Sequence, residues 1–272
     1  MEAFAQHSWA VAVALAPAAL LFALVALAGK RGRAFAALRQ VSRESATNLA
    51  LVLINSVILA SLLTLATDFM RAQLRLFPEL ADFWLRVPEV GLLVLALLID
   101  EFTVYWRHRA EHSPLLWPIH ATHHSDEAVT WLTLLRKHPL SHFFGNVVDA
   151  VPLILLGFPA WAVVASTLVR TWWGYFIHAD LPWTLGAAGK WLMSPAAHRL
   201  HHIDDEVLKD RNFGGVLAIF DRLFGTYDDA SQHLRCKTGI AGGSRSLTGE
   251  LARPFEALAK RRRDVTQSRA VS

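Results

Sequence analysis

Eleven of the 13 histidines in this 272-residue chain lie between His108 and His202, in spacings that suit metal ligation. They read His108-x3-His112, His120-x2-His123-His124, His138-x3-His142, a single His178, and His198-x2-His201-His202. On an α-helix, side chains three and four positions apart share a face. Each HxxHH box is therefore expected to present its three rings together, and each HxxxH box its two. Neutral imidazole binds iron, zinc, copper and nickel. Two triplets with further pairs and singles exceed what one ion can take, so the spacing implies two metals without naming them. A lone HxxxH pair is ordinarily two surface histidines; four boxes in one stretch argue against that reading.

The elements that must carry these boxes are apolar. The chain is 53% hydrophobic and only 18% charged, outside the usual soluble range. Its apolar residues come in long runs, which predicts one all-α integral membrane domain. Ala10 to Ala28 is an unbroken run of about 19 residues, ~28 Å as a helix, enough for a bilayer core. Basic residues follow this run instead of preceding it, so a retained span is expected and not a cleaved signal peptide. Asn48 to Ala66 is a second expected span, and Asp68 to Arg86 a charged connector. A third starts near Pro88, runs through Leu92 to Ile99, and continues as helix into Asp100, Glu101 and the first histidine pair. Phe143 to Trp173 is apolar but broken at Pro152, Gly157 and Pro159. It reads as two short helices forming a hairpin that enters and leaves on one side, or as one kinked span.

Charge sets the expected orientation. The formal net charge is +4, and the basic residues cluster: Lys30, Arg31, Arg33 and Arg39, then Lys260 to Arg263. Clusters beside apolar runs suit anionic lipid headgroups, and no aromatic–basic platform points to nucleic acid. Excess Lys and Arg mark cytoplasmic segments, so Lys30 to Arg43 is placed in the cytoplasm. Three spans then bring Asp100 to His124 to the cytoplasmic face, which is that of the inner membrane if the source is bacterial. A hairpin returns His178 and the His198 box to that face; a single span would put the two HxxHH boxes on opposite sides. The need for one shared site favours the hairpin. Leu251, Phe255 and Leu258 share a face and read as a short interfacial helix. After Asp264 no fixed structure is expected. Cys236 is the only cysteine, which excludes an intrachain disulfide, a CxxC pair and a self-contained iron–sulfur centre.

Asp100 to Tyr227 resembles the fatty acid hydroxylase / sterol desaturase superfamily. The carrying motifs are His108-Arg109 with His112, Leu116-Trp117 with His120, His123, His124 and Ser125, and Arg136-x-His138-Pro139. Ser194 to His202 (SPAAHRLHH) fits the family's PxxHRxHH, and Asn212-Phe213-Gly214 with Phe220 to Tyr227 (FDRLFGTY) fits its closing signature. The resemblance implies a membrane-bound non-haem enzyme with two iron ions in an all-histidine cage, acting with O2 on a lipid. The ligand positions it implies are His108, His112, His120, His123, His124, His178, His198, His201 and His202, with His138 at the RxHP position. For His138, capping of the helix that starts at Pro139 is the alternative. His142 has no firm counterpart, and His7 and His233 lie outside every box.

Metal-bound histidines need partners on their second nitrogen. Asp100, Glu111, Asp126, Asp180, Asp204, Asp205 and Asn212 are candidates, with Asp100 and Asn212 preferred. Asp221 and Arg222 are expected to form a structural corner. The 272 residues carry no HPGG haem box and no GxGxxG loop. An oxidase of this kind would therefore draw electrons from a separate donor, such as a ferredoxin or a cytochrome b5-like protein with its reductase. A basic cytoplasmic surface near Arg107, Arg109 and Arg136 is a candidate docking place for an acidic carrier, with lipid headgroups the equal alternative for Arg107 and Arg109.

The expected organisation is thus residues 1–99 as N-terminal membrane spans, 100–228 as the catalytic region, and 229–272 as a tail. About three spans and a short membrane hairpin carry a cytoplasmic helical cap with a dinuclear histidine site. Hydroxylation of a lipid C–H bond ranks first and desaturation second. A non-oxidative metal-binding protein or transporter ranks third, because a transport path wants mid-span carboxylates that the first two runs lack. A zinc hydrolase keeps three protein ligands and an open position, so ten imidazoles are too many. A b-type cytochrome wants its paired histidines within facing spans. Sterol, fatty acyl and related lipids are not separable by these residues.

Overall fold

The computed structural model describes residues 2–30, 34–73, 77, 79–205 and 207–271. The side chains of His7 and of Lys30 to Arg39 lie outside the described residues, so the basic cluster used for orientation is not placed. The described chain is all-helical, with isolated bridges at Leu192–Leu217 and Ile203–Thr238 in place of any strand. Helix α1 spans Glu2–Lys30 and α2 spans Ala34–Gln73. A single turn of helix, α3 (Glu79–Trp84), leads to Pro88, after which α4 runs unbroken over Glu89–Glu111. Among the described residues, no single helix is long and apolar enough to cross a membrane. One pair, Ser42–Leu59 with Ser61–Gln73, passes by length and composition but is bent by 51°. Among the described residues the first run is apolar over Trp9–Val25; the side chains that end the expected span, Ala26 to Ala28, lie outside the described residues.

The Phe143 to Trp173 region folds back on itself. Helix α6 (Pro139–Leu155) and helix α7 (Ala160–His178) are joined by a turn in which Gly157 has φ +68°, a left-handed conformation that glycine adopts without penalty. Pro159 then starts α7. Both helices pack on α4 through Leu92, Ala96, Leu153, Phe158 and Ala162. The outer ends of the hairpin, His138 and His178, consequently face the same end of the bundle as the end of α4. With the chain folded back, His178 Nε2 lies 3.4 Å from His123 Nε2 and 3.0 Å from His198 Nε2, so the two HxxHH boxes meet at one end of the bundle.

Two short helices cap this end. Helix α5 (Trp117–His124) and helix α8 (Pro195–His201) each have proline in the first turn, where a missing N–H costs nothing. Ser194 caps α8 by accepting from Ala197 N at 3.1 Å. A 3₁₀ turn at Trp131–Leu135, closed by a Thr130–Thr133 capping box, packs against α7. Helix α9 (Ile219–Leu223) precedes helix α10 (Leu247–Val271), which packs on α5. Helix α10 continues past Asp264, where no fixed structure was expected. Its exposed Phe255 and Leu258 keep the apolar face read from the sequence.

Helix α2 is pinned to the cap by its polar stripe. Glu44, Asn48 and Asn55 recur at helical spacing and are buried. Asn48 donates to Asp126 at 3.0 Å, Asn55 donates to the Lys137 carbonyl at 2.9 Å, and Glu44 accepts from Arg136 at 2.7 Å. Arg136 is fully buried; it also reaches the Thr122 carbonyl (2.9 Å), Ser125 and Glu250 (3.0 Å). One guanidinium thus ties α2, α5 and α10 together. The expected basic docking surface is not there: Arg136 is interior, Arg107 is held by Asp149 and Glu111, and only Arg109 of the three is exposed.

Candidate metal centre

Nine of the ten histidines named as ligands converge on two adjoining sites. His108, His112, His120, His124 and His201 form one group, and His123, His178, His198 and His202 the other. Within each group one nitrogen of every ring lies within 4.8 Å of all the others. The HxxHH boxes do not act as triplets. On a helix, positions i and i+4 differ by about 40° and i+3 lies about 60° to the other side. Helix α5 accordingly gives His120 and His124 to the first group and His123 to the second. Helix α8 makes the reverse split, with His201 in the first group and His198 and His202 in the second. His124 and His202 stack between the two groups with ring centroids 4.4 Å apart.

The nitrogens approach as metal ligands do. Nε2 atoms face each other at 3.0 Å (His201–His108 and His198–His178), 3.1 Å (His112–His124) and 3.2 Å (His124–His120). For a metal–nitrogen bond of about 2.1 Å, ligands at right angles sit about 3 Å apart. Both ring nitrogens of His202 are buried and unpartnered among the described residues, as are Nδ1 of His123 and His198. Buried polar atoms ordinarily have partners; a cation between the rings would take one nitrogen of His202, while the Nδ1 atoms of His123 and His198 lie on the far edge of rings whose Nε2 faces His178. Burial, followed by the neighbouring imidazoles, pushes His108, His120, His123, His124, His198 and His202 well below the usual histidine range. Burial brings His178 down to about 3. Rings held neutral in this way are ready to bind metal without first losing protons. The donor set fits two cations that accept nitrogen ligands, and it suits neither Mg2+ nor Ca2+, which want oxygen.

Of the expected orienting partners only Glu111 lies beside a ligand ring; the others are different groups. His108 Nδ1 meets the Phe213 carbonyl at 2.8 Å, His201 Nδ1 the Arg211 carbonyl at 2.7 Å, and His178 Nδ1 the Gly174 carbonyl at 2.7 Å. His112 Nδ1 meets Asp210 at 2.8 Å, and His120 Nδ1 lies 3.5 Å from Glu111. Asp210 was not among the candidates; backbone carbonyls have no sequence signature. Asp100 touches no histidine: it accepts from Ser166 at 2.8 Å and from Arg170 at 2.9 Å. Asp126 likewise binds Asn48 and Thr133.

Asn212 makes no contact with an imidazole either, yet it stands between the Arg211 and Phe213 carbonyls. Its backbone is left-handed, φ +55°, a conformation asparagine tolerates better than most residues. The side chain holds it there. Nδ2 donates to the Ala197 and Asp228 carbonyls, both at 3.1 Å, and Oδ1 accepts from Asp228 N at 2.9 Å. Asp221 braces the next two residues, accepting from Phe213 N at 2.7 Å and Gly214 N at 2.8 Å. A Cβ at Gly214 would meet the Leu217 carbonyl at 2.3 Å, so glycine is required. The Asn212→Ala variant is expected to lose about tenfold or more in metal affinity, the usual cost of disturbing a ligand's orienting partner. Metal titration checks this, with Asn212→Asp retaining the Oδ1 bond and recovering part of the loss.

His138 is the correction to the ligand set. It is the N-cap of α6: Nδ1 accepts from Leu140 N at 3.1 Å, and Nε2 faces the Leu251 carbonyl at 3.1 Å. Both nitrogens are taken, and it belongs to neither group. Pro139 at the first helical position forces that role. His142 and His233 also stand apart from both groups.

A cavity of about 90 Å³ opens beside both groups, touching His108, His120, His123, His178 and His198. It adjoins a larger one of about 820 Å³ lined by α1, α2, α6 and α7. Arg107, Leu134, Lys137 and Arg170 border both.

Residues 93–226 match the fatty acid hydroxylase family. An ornithine lipid hydroxylase of Rhizobium tropici is 31% identical over 176 residues, 64% of this chain and 52% of the relative. An alkylglycerol monooxygenase of Homo sapiens is 32% identical over 134 residues, 49% of this chain and 30% of the relative. A very-long-chain aldehyde decarbonylase of Oryza sativa is 27% identical over 181 residues, 59% of this chain and 26% of the relative. The chain spans about half the length of the first relative and less of the others. No solved structure matches it.

Proposed function

With residues 93–226 a fatty acid hydroxylase family region, we propose that this chain is a membrane-bound, O2-dependent lipid hydroxylase holding two iron ions. The single observation that carries this reading is the pair of adjoining imidazole groups, five and four histidines, beside one cavity. Two iron ions bound there would supply oxygen activation and removal of an unactivated hydrogen. The chain's own part is to hold nine neutral rings in place, keep bulk water out by burying them, and deliver a C–H bond through the cavity. Relatives whose names specify lipid hydroxylation and alkylglycerol monooxygenation support a lipid substrate. The Ser42–Gln73 pair and the apolar α1 and α6 support a site served from the bilayer. Electrons come from a separate donor, such as a ferredoxin or a cytochrome b5-like protein with its reductase.

Hydroxylation is preferred because it needs one hydrogen removed and oxygen returned to the same carbon. Desaturation needs a second hydrogen within reach. The test is reconstitution of the purified chain with iron, a reductase system and 18O2, followed by mass spectrometry of candidate lipids. Label in a product hydroxyl is expected. An unlabelled alkene would assign a desaturase, and turnover without O2 would overturn both.

A further inference from the structure

The wall shared by the two cavities carries three cations, and they are not equivalent. Arg107 is held by Asp149 at 2.6 Å and by Glu111. Arg170 is held by Asp100 at 2.9 Å and Asp149 at 3.2 Å. Lys137 lies at the same junction, and among the described residues its ammonium has neither a hydrogen bond nor an ion pair. Its backbone is fixed by Asn55, whose Oδ1 is buried and also unpartnered. Away from this wall the larger cavity carries an apolar stretch that includes Val52, Leu63, Ile154 and Val163, beside polar residues such as Arg71, His142 and Asn146.

An unpartnered ammonium at the inner end of such a chamber is costly against hydrocarbon. An alkyl chain threaded past it would leave that cost in place, whereas an oxygen acceptor removes it. Glu111 of the smaller cavity and Asp100 and Asp149 of the larger already match the three cations, with Glu101 on Arg170 behind them, so a further full negative charge is not called for. We propose that Lys137 anchors an uncharged acceptor oxygen, an ester or amide carbonyl, of a lipid whose alkyl chain fills the larger cavity. The smaller cavity, about 90 Å³, then admits only the few atoms next to that carbonyl. Oxidation therefore falls within a few bonds of the polar group and not in the middle of the chain. This rests on the reading of the chain as a lipid oxygenase, but it concerns binding and is tested without turnover.

The experiment measures binding of 1-monooleoylglycerol to the detergent-purified, iron-loaded full chain, anaerobically and without reductant, by displacement of a pyrene-labelled monoacylglycerol. Octadecane and oleate are run as the hydrocarbon and carboxylate comparisons. Lys137→Met is expected to weaken monooleoylglycerol about tenfold, the size of one lost hydrogen bond to a charged donor, with octadecane and iron content unchanged. Lys137→Arg is expected to restore most of the affinity. Equal weakening of ester and alkane, or unchanged ester binding in Lys137→Met, would overturn the anchor. Oleate held more tightly than the ester by the unmodified chain would overturn the uncharged class. Because no oxidation is read, a failed hydroxylation assay leaves this result standing, and the reverse also holds.

Discussion

His201→Ala and His123→Ala are each expected to abolish lipid oxidation, and to do so by emptying different halves of the site. His201 leaves the five-histidine group and His123 the four-histidine group. His123→Ala leaves three rings for its ion, and the metal count is expected to fall from two to one while the other group stays filled. His201→Ala removes the ring facing His108 at 3.0 Å and leaves four. The loss in affinity at each emptied position should exceed the ~10–100-fold typical of an orienting partner. Metal analysis of the purified variants, alongside activity, checks both halves. His138→Ala provides the contrast: a lost helix cap costs about 1 kcal/mol, and two metals should remain. Full activity with two irons in either His201→Ala or His123→Ala would end the dinuclear reading.

The second large effect is expected at Arg136, which belongs to neither histidine group. Arg136→Met removes the cation that Glu44 and Glu250 share, leaving two carboxylates buried or nearly so. Glu250 keeps Arg253 at 2.8 Å, but Glu44 has no other cation among the described residues. Breaking a buried pair from one side costs roughly 3–5 kcal/mol, a large share of the total stability of about 5–15 kcal/mol typical of a folded domain. Thermal unfolding of the purified variant measures it. Metal content is expected to fall as well, since Arg136 holds the Thr122 carbonyl and Ser125 on either side of His123 and His124. Lysine should not rescue, because a single ammonium cannot span the fork of partners a guanidinium reaches. A variant that melts like the parent and keeps both metals would show that α2 and α10 hold the cap by other means.

The sequence by itself determined which residue types meet at the site. Histidine spacing marked eight of the nine rings that converge, because an i, i+3, i+4 pattern on a helix constrains direction whatever the surroundings; the lone His178 came from the family resemblance. Breaks at Gly157 and Pro159, where the backbone must turn, left a hairpin or one kinked span open, and the need to bring both HxxHH boxes to one site favoured the hairpin; Pro152, read as a third break, sits inside α6. The closing signature contained Asn212, Gly214 and Asp221, and the structure joins them: Asn212 is left-handed and Asp221 braces Phe213 and Gly214. Three things needed the tertiary structure. How the HxxHH boxes divide between two groups depends on where α5 and α8 cross, since the 100° between positions i+3 and i+4 becomes a choice only when a partner helix stands on each side. The orienting partners are mostly carbonyls of Arg211, Phe213 and Gly174, and a carbonyl belongs to every residue alike, so no letter in the chain announces it. Charged residues were the least legible. Arg107, Arg136 and Asp100 read as surface or ligand-orienting groups from composition, yet they lie inside, because an ion pair between distant segments can offset the cost of burial only once folding has brought both partners together.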